Sequence, residues 1–247
     1  MEQVNVAAKI ERIIERIKQK QSILKSTGPK RPQIGYEYYQ PVYAPPVVVE
    51  RNVNLSAYGI KDKYKTMTFD KLKAYGTPTE DRETYNKAFK YAEHIRDHIS
   101  KGNGLILLGP VGTGKTSLAI SILRKAIDKG YNGYLISMMS LLDTLLSLSK
   151  GETSDYIRFE NRIRNTPLLV LDDFGAEYEN KWVANKVDSI IADRVESCKA
   201  TIITTNLTMK QIQQGYDSRI YDRLKGSSFV LLLRGESKRK PLSDSEI

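Results

Sequence analysis

The chain has 247 residues, of which 40% are hydrophobic, enough to bury a sizeable core, so a wholly disordered chain is excluded. The single cysteine, Cys198, excludes a disulfide framework and a multi-cysteine zinc site. No apolar run approaches the roughly 20 residues needed to span a bilayer, which favours a cytoplasmic protein without a membrane partner. The formal net charge of +10 favours a polyanionic partner, nucleic acid before membrane.

Residues 1–28 are predicted to form an amphipathic helical arm. Apolar side chains recur there at alternating steps of three and four residues, charged side chains occupy the other faces, and Thr27-Gly28-Pro29 ends the helix. This pattern is typical both of an arm that docks on its own domain and of a helix that docks another protein. Residues 29–55 are rich in proline and tyrosine and are predicted to form a linker, whose tyrosines either stack on bases or pack on the main domain.

Residues 56–247 alternate between helices and short apolar strands. Helices are predicted over residues 80–101, 115–129 and 180–198, with two more within 141–164 that are broken at Lys150-Gly151. The predicted strands are 105–108, 133–137, 168–171, 201–204 and 229–233. Because these strands are short, apolar on both faces and separated by helices, they indicate an α/β domain with a parallel sheet that helices cover on both sides.

Two histidines, His94 and His98, lie four residues apart on the first of these helices. That spacing can bind zinc, but the sequence offers no evident third ligand. We therefore expect a solvated helix face there.

Residues 109–116 match the phosphate-binding pattern G-x-x-x-x-G-K-[ST] at every position, between an apolar strand and an amphipathic helix. In such a loop backbone N–H groups converge on phosphate oxygens, and the helix N-terminus favours the anion. We expect Lys115 to reach the β- and γ-phosphates of ATP and the Thr116 hydroxyl to ligate Mg²⁺. The predicted nucleotide-binding residues of this loop are Gly109, Pro110, Val111, Gly112, Thr113, Gly114, Lys115, Thr116 and Ser117.

Polar residues also follow two later strands. Asp172 and Asp173 end the run 168–171; we expect Asp172 to hold Mg²⁺ and Asp173 to orient or deprotonate the attacking water. Asn206, in Thr204-Thr205-Asn206, is predicted to position that water. Arg219 and Arg223 lie four residues apart on one face of a short predicted helix, and either could reach the phosphates of a neighbouring subunit.

The order of these motifs resembles the AAA+ ATPases of the DnaC/DnaI type, bacterial and phage replicative-helicase loaders related to the IstB transposition helpers. The resemblance covers roughly residues 56–240 and is carried, besides the phosphate loop, by Leu-Asp-Asp-Phe-Gly-Ala-Glu (171–177), Thr-Thr-Asn (204–206), Ser-Arg-Ile-Tyr-Asp-Arg-Leu (218–224) and Gly-Glu-Ser-Lys-Arg (235–239). Upstream, Tyr64 and Thr68-Phe69-Asp70 resemble the segment that borders the nucleotide in this family.

The resemblance implies roles for three further residues. Asn206 matches the residue called sensor I, Arg223 the arginine finger that acts in trans, and Arg239 the sensor II arginine that reads the γ-phosphate. With Lys115 and Asp173, Asn206 and Arg223 complete the predicted catalytic set. The match alone places Arg223 ahead of Arg219.

The resemblance also implies a fold, that of a P-loop NTPase of AAA+ type. It further implies that the protein self-associates through its ATP site and binds single-stranded DNA and a hexameric replicative helicase. ATP hydrolysis would be slow and would take place in the assembly. One cysteine cannot build the zinc module of DnaI-type loaders, so helicase docking would fall to the arm at 1–28. Eight residues follow Arg239, so we expect little or no C-terminal lid. The alternatives are an IstB-like ATP-dependent transposition helper on duplex DNA, a nucleotide-dependent scaffold without useful hydrolysis, and a small-molecule kinase.

Overall fold

The computed structural model describes residues 53–149, 151, 153–175, 181–216 and 218–238, with the side chains of residues 181–184 excepted. The predicted helical arm at 1–28, the linker up to residue 52, Arg239 and the question of a lid lie outside these residues.

The described residues form one five-stranded sheet in which every neighbouring pair of strands is parallel. The strand order is β2-β3-β4-β1-β5. The predicted parallel α/β sheet is therefore confirmed. The strands are β1 (Gly104–Leu108), β2 (Gly133–Ser137), β3 (Leu168–Asp172), β4 (Ala200–Thr205) and β5 (Ser228–Leu232).

Nine α-helices lie within the described part of the chain, joined by short 3₁₀ turns near its start. They are α1 (Phe69–Ala74), α2 (Arg82–Glu93), α3 (Ile95–Lys101), α4 (Lys115–Asp128), α5 (Met138–Leu148), α6 (Thr153–Asn165), α7 (Lys181–Glu196), α8 (Met209–Gly215) and α9 (Ser218–Ser227). None of these helices is long and apolar enough to cross a membrane.

One helix prediction needs correction. The sequence predicts a single helix over 80–101, whereas the structure has a 3₁₀ turn and then two helices, α2 and α3, that meet at His94. The backbone of His94 leaves the helical region, with φ −94° and ψ 22°. The sequence carries no glycine or proline at this point, so nothing in it announced the break.

The sheet separates two apolar layers, as the period of two along each strand requires. Leu105 and Leu107 of β1 pack with α2 and α4 on one side of the sheet. Ile106 and Leu108 pack on the other side with α5–α9. Strands β1, β3 and β4 are therefore buried on both faces, as their continuous apolar runs predicted, whereas the edge strand β5 is largely exposed.

A buried arginine joins elements on one side of this sheet. The side chain of Arg194, on α7, is fully buried. Its guanidinium donates hydrogen bonds to carbonyls at the end of α6, among them those of Ile163 (2.8 Å) and Thr166 (2.9 Å). It also donates to the Ala200 carbonyl (2.6 Å) and the Thr201 hydroxyl (2.9 Å) at the start of β4. Arg194 thus satisfies helix-terminal carbonyls that have no partner within their own helix.

The phosphate loop and the polar residues after two later strands lie at one edge of the sheet, whereas the predicted site residue Arg223 lies on α9. The phosphate loop follows β1, Asp173 follows β3 and Asn206 follows β4. Because β1, β3 and β4 are neighbours in a parallel sheet, their carboxyl ends place these residues side by side.

Candidate nucleotide-binding site

The phosphate loop has the backbone that its glycines permit. Gly112 and Gly114 adopt φ values of 84° and 96°, in the left-handed region that favours glycine. A Cβ atom on Gly112 would lie 2.1 Å from the Ser237 hydroxyl oxygen. α4 begins directly after Gly114, so its first N–H groups face the loop, where anions are favoured.

Lys115 crosses this loop and reaches the end of β4. Its side chain is 5% exposed, and its ammonium group donates hydrogen bonds to the carbonyls of Gly109 (2.8 Å) and Pro110 (2.7 Å). It donates a third to Oδ1 of Asn206, at 2.7 Å. Two predicted site residues that are 91 positions apart in the chain are thus in direct contact.

Asp172 lies at the centre of a second set of contacts. Its Oδ1 accepts hydrogen bonds from the hydroxyls of Thr116 (2.8 Å) and Thr204 (2.6 Å). Burial raises the pKa of the Asp172 carboxyl, against the hydrogen bonds from Thr204 and Thr116, which lower it. A hydroxyl and a carboxylate side by side are the hard oxygen donors that Mg²⁺ prefers, so Thr116 and Asp172 fit the predicted metal ligands.

Asp173 has different surroundings, although it is the next residue. Its side chain is exposed and lines the cleft described below. Its backbone adopts φ 56°, a left-handed conformation that aspartate tolerates better than most residues. The N–H of Asp173 donates to the Thr204 hydroxyl at 3.0 Å, so one threonine touches both aspartates.

Lys115, Thr116, Asp173 and Asn206 line a cleft of about 930 Å³, within the size range of small-molecule sites. One wall is polar and contains the phosphate loop, Asp173 and Asn206. The cleft is also lined by apolar and aromatic side chains, among them Tyr64, Met67, Leu72, Tyr75, Pro78 and Tyr85. A nucleoside triphosphate has the same division into a flat apolar base and a charged tail.

The upstream segment is only partly at the cleft. Tyr64 lines it, as the resemblance implied. Thr68 instead caps α1 by accepting a hydrogen bond from the Lys71 N–H at 3.2 Å. Phe69 is buried in the core against Phe89, with 5.3 Å between ring centroids.

Lys238 is a cleft residue that the sequence reasoning missed. Its N–H donates to the Gly112 carbonyl (3.0 Å), and its ammonium group donates to the Tyr85 hydroxyl (2.9 Å) at the cleft wall. The buried side chain of Asp81 accepts from the N–H groups of Arg234 (2.6 Å) and Gly235 (3.1 Å), which holds this segment in place. Lys238 lies within the motif 235–239, but the resemblance assigns a role in that motif only to Arg239.

Arg223 is not among the described residues that line the cleft. It lies on α9 and donates a hydrogen bond to Oδ1 of Asp188, on α7, at 2.9 Å. Both side chains of this ion pair are partly buried. The prediction that Arg223 acts in trans therefore stays a prediction.

The strand order, the phosphate loop after β1 and the aspartates at the end of β3 define a P-loop NTPase of the AAA+ type. Solved structures share the fold. A crystal structure of the DnaC helicase loader has a TM-score of 0.62 and 23% identity, and covers 70% of this chain and 99% of its own. The replication initiator DnaA bound to AMPPCP and single-stranded DNA has a TM-score of 0.59 and 20% identity, over 71% of this chain and 51% of that one.

The family follows from the sequence itself. The family model described as IstB-like ATP binding protein matches residues 89–245, more than half of the chain, so the chain belongs to that family. The replicative helicase loader DnaC of Escherichia coli (strain K12) is 24% identical over 200 residues, which is 80% of this chain and 78% of that protein. The replicative helicase loader DnaI of Bacillus subtilis (strain 168) is 24% identical over 168 residues, 60% of this chain and 53% of that protein. The predicted resemblance to the DnaC/DnaI type is thereby confirmed.

Proposed function

We propose that the protein is an ATP-dependent loader of a replicative DNA helicase, which binds ATP-Mg²⁺ and single-stranded DNA and switches state by hydrolysing ATP. The observation that carries this proposal is the meeting of three strand ends in one cleft: Lys115 contacts Asn206 at 2.7 Å and Thr116 contacts Asp172 at 2.8 Å. The similarity to relatives named replicative helicase loaders, over 80% of the chain for DnaC, supports the choice of partner.

In this proposal the residues of the cleft divide the work of phosphoryl transfer. Lys115 and the loop N–H groups bind the polyphosphate, and Asn206 orients the attacking water. Asp173, exposed at the cleft, accepts a proton from that water as its oxygen bonds to the γ-phosphorus and the bond to the β–γ bridging oxygen breaks. Mg²⁺, held by Thr116 and Asp172, would neutralise charge on the phosphates.

The proposal makes full activity depend on assembly. Arg223 would complete the site of a neighbouring subunit, which requires it to exchange Asp188 for the neighbour's γ-phosphate. Arg239 would read the γ-phosphate within its own subunit. The arm at 1–28 would hold the hexameric helicase, and the whole assembly would work in the cytoplasm.

The test compares Lys115→Ala with Lys125→Ala, which removes the same charge from the same helix, α4, away from the loop. Lys115→Ala should abolish binding of a fluorescent ATP analogue together with ATP-dependent association with a fluorescent single-stranded oligonucleotide and a purified replicative helicase. Lys125→Ala should keep all three. Unchanged ATP affinity in Lys115→Ala would refute the site, and intact ATP binding without helicase association in the wild type would refute the loader function.

The family match favours a second candidate, an IstB-like transposition helper that binds duplex DNA. Fluorescence anisotropy with matched single-stranded and duplex oligonucleotides in the presence of ATP separates the two functions. A preference for single strands, with capture of a replicative helicase rather than a transposase, supports the loader. The opposite pair of results supports the transposition helper.

A further inference from the structure

A second cavity, of about 410 Å³, lies at the other end of the sheet from the nucleotide cleft. It is formed where β1 and β5 begin and where α2 and α3 cover them, whereas the phosphate loop follows the end of β1. We call it the basic slot. Its walls and rim include Lys90, Tyr91, His98, Lys101, Phe229 and Leu231. It shares no lining residue with the nucleotide cleft.

The inner wall of the basic slot is aromatic. Tyr91 and His98 stack with ring centroids 4.1 Å apart and planes within 5° of parallel. The Phe229 ring meets both edge-on, at 6.3 Å from Tyr91 and 5.5 Å from His98. His98 is therefore half-buried, rather than on the solvated face that the sequence predicted. Among the described residues, no group of three His, Cys, Asp or Glu side chains is placed to hold a metal ion.

Phe229 is half in water despite these contacts. It is 51% exposed, on the edge strand β5, with its ring at the wall of an apolar cavity. A phenylalanine ring has no polar group to satisfy, so this exposure leaves apolar ring surface open to a ligand.

The rim of the slot carries positive charge. The lining residues 87, 90, 94, 98 and 101 recur every three or four positions along α2 and α3, and the bonds from the His94 N–H to Lys90 and from the His98 N–H to His94 connect the two helices across their break. Lys87 pairs with Glu83, whereas neither Lys90 nor Lys101 forms an ion pair with any residue that the structure describes. One carboxylate, that of Asp97, is on the described rim.

We propose that the basic slot is a second binding site for single-stranded nucleic acid, in which a base stacks on the Phe229 ring and backbone phosphates contact Lys90 and Lys101. An open aromatic face bordered by lysines is the combination that binds unpaired strands without sequence preference. A duplex would not fit this chemistry, because its bases are already stacked on each other. This site is additional to the ATP-dependent binding of DNA in the proposed function, because it lies away from the nucleotide cleft and would bind the strand without nucleotide.

The experiment measures binding of a fluorescein-labelled oligo(dT) to the full chain by anisotropy, without nucleotide, over a series of salt concentrations. Phe229→Leu keeps an apolar side chain in β5 but removes the ring, and should weaken binding about 5- to 150-fold, the range of one lost base stack. Phe229→Tyr keeps the ring and should bind like the wild type. Thermal unfolding of each variant verifies that the fold is retained.

The lysines are tested by their salt dependence. Lys90→Ala combined with Lys101→Ala should make the slope of log K against log salt less negative by about 1.4, at about 0.7 for each lost phosphate contact on a single strand. The matched control, Lys61→Ala with Lys210→Ala, removes the same net charge at two exposed positions outside the slot and should keep the slope.

Three results would overturn the proposal: unchanged affinity in Phe229→Leu, an equal loss in the two double-lysine variants, or loss of a helicase or other protein partner in Phe229→Leu while oligo(dT) binding persists. The last would make the slot a protein-docking site. Because no nucleotide is present, these outcomes do not depend on Lys115, so a failure here and a failure of the proposed ATP site are distinguished.

Discussion

The hydroxyl of Thr204 provides the most direct test of how the fold holds the two aspartates. Thr204 is fully buried in β4, donates to Asp172 at 2.6 Å and accepts from the Asp173 N–H at 3.0 Å. Thr204→Val keeps the shape of the side chain and removes both hydrogen bonds. The packing of β4 should therefore survive, and the effect should come from the lost hydroxyl.

The two lost bonds set the size of the effect. A hydrogen bond to a charged group contributes about 1.5–3 kcal/mol, and the Asp173 N–H, which is only partly buried, adds about 1 kcal/mol. The free energy of unfolding should thus fall by about 2.5–4 kcal/mol. The Thr204 hydrogen bond also lowers the pKa of the Asp172 carboxyl, so its loss should raise that pKa further and weaken Mg²⁺ binding.

The assay combines urea unfolding, followed by circular dichroism, with titration of ATP binding against Mg²⁺. Thr205→Val is the matched control, because Thr205 is also fully buried and its hydroxyl bonds the Phe174 carbonyl (2.6 Å) and the Leu207 N–H (3.0 Å), but neither aspartate. Both variants should lose stability, and only Thr204→Val should need more Mg²⁺. Thr204→Ser keeps the hydroxyl, so its ATP binding should need no more Mg²⁺ than that of the wild type. An equal shift in Thr205→Val, or none in Thr204→Val, would refute the reasoning.

Three further predictions rest on single side chains. Burial raises the pKa of the Asp172 carboxyl above its ordinary 3.8, so its contribution to stability is present in acid and is lost as the pH rises through the raised value. Asp172→Asn should therefore unfold at higher urea than the wild type at neutral pH without Mg²⁺, with a gap that closes in acid, and should lose Mg²⁺-dependent ATP binding. Arg194→Lys should lower the free energy of unfolding in urea by about 3–5 kcal/mol, because an ammonium group cannot reach the carbonyls at both α6 and β4. Lys238→Ala should weaken ATP binding about tenfold by calorimetry, about the free energy of one charge-assisted hydrogen bond; unchanged affinity would show that Lys238 serves only to hold Tyr85.

Much of the sheet could be predicted because its signals are local. Each strand is a short apolar run bounded by helix signals, and every predicted strand agrees with the structure to within one or two residues at each end. The break between α5 and α6 falls where Lys150-Gly151 predicted it. The strand-end motifs could then be placed together, because parallel strands direct their carboxyl ends to one edge.

The contacts that complete the cleft could not be predicted, because they join distant parts of the chain. Lys238 meets Tyr85, and Asp81 meets Arg234, across 153 positions in each case. No periodicity or motif links such pairs. The same holds for the ion pair of Arg223 with Asp188, since an arginine on a helix face gives no sign of which carboxylate it will reach.

The aspartate pair shows why composition at a site is not enough to assign roles. Asp172 is the last residue of β3, so its side chain is buried among the hydroxyls of Thr116 and Thr204, which leaves it suited to a fixed cation. Asp173 has left the strand in a left-handed turn, which exposes its carboxylate at the cleft, where a water can approach. Adjacent and chemically identical side chains thus receive different environments from one change in backbone direction, as pairs of acids with separate tasks require. Asp172→Glu and Asp173→Glu are consequently different perturbations: the first adds a methylene to a closed cluster, and the second adds reach into open space.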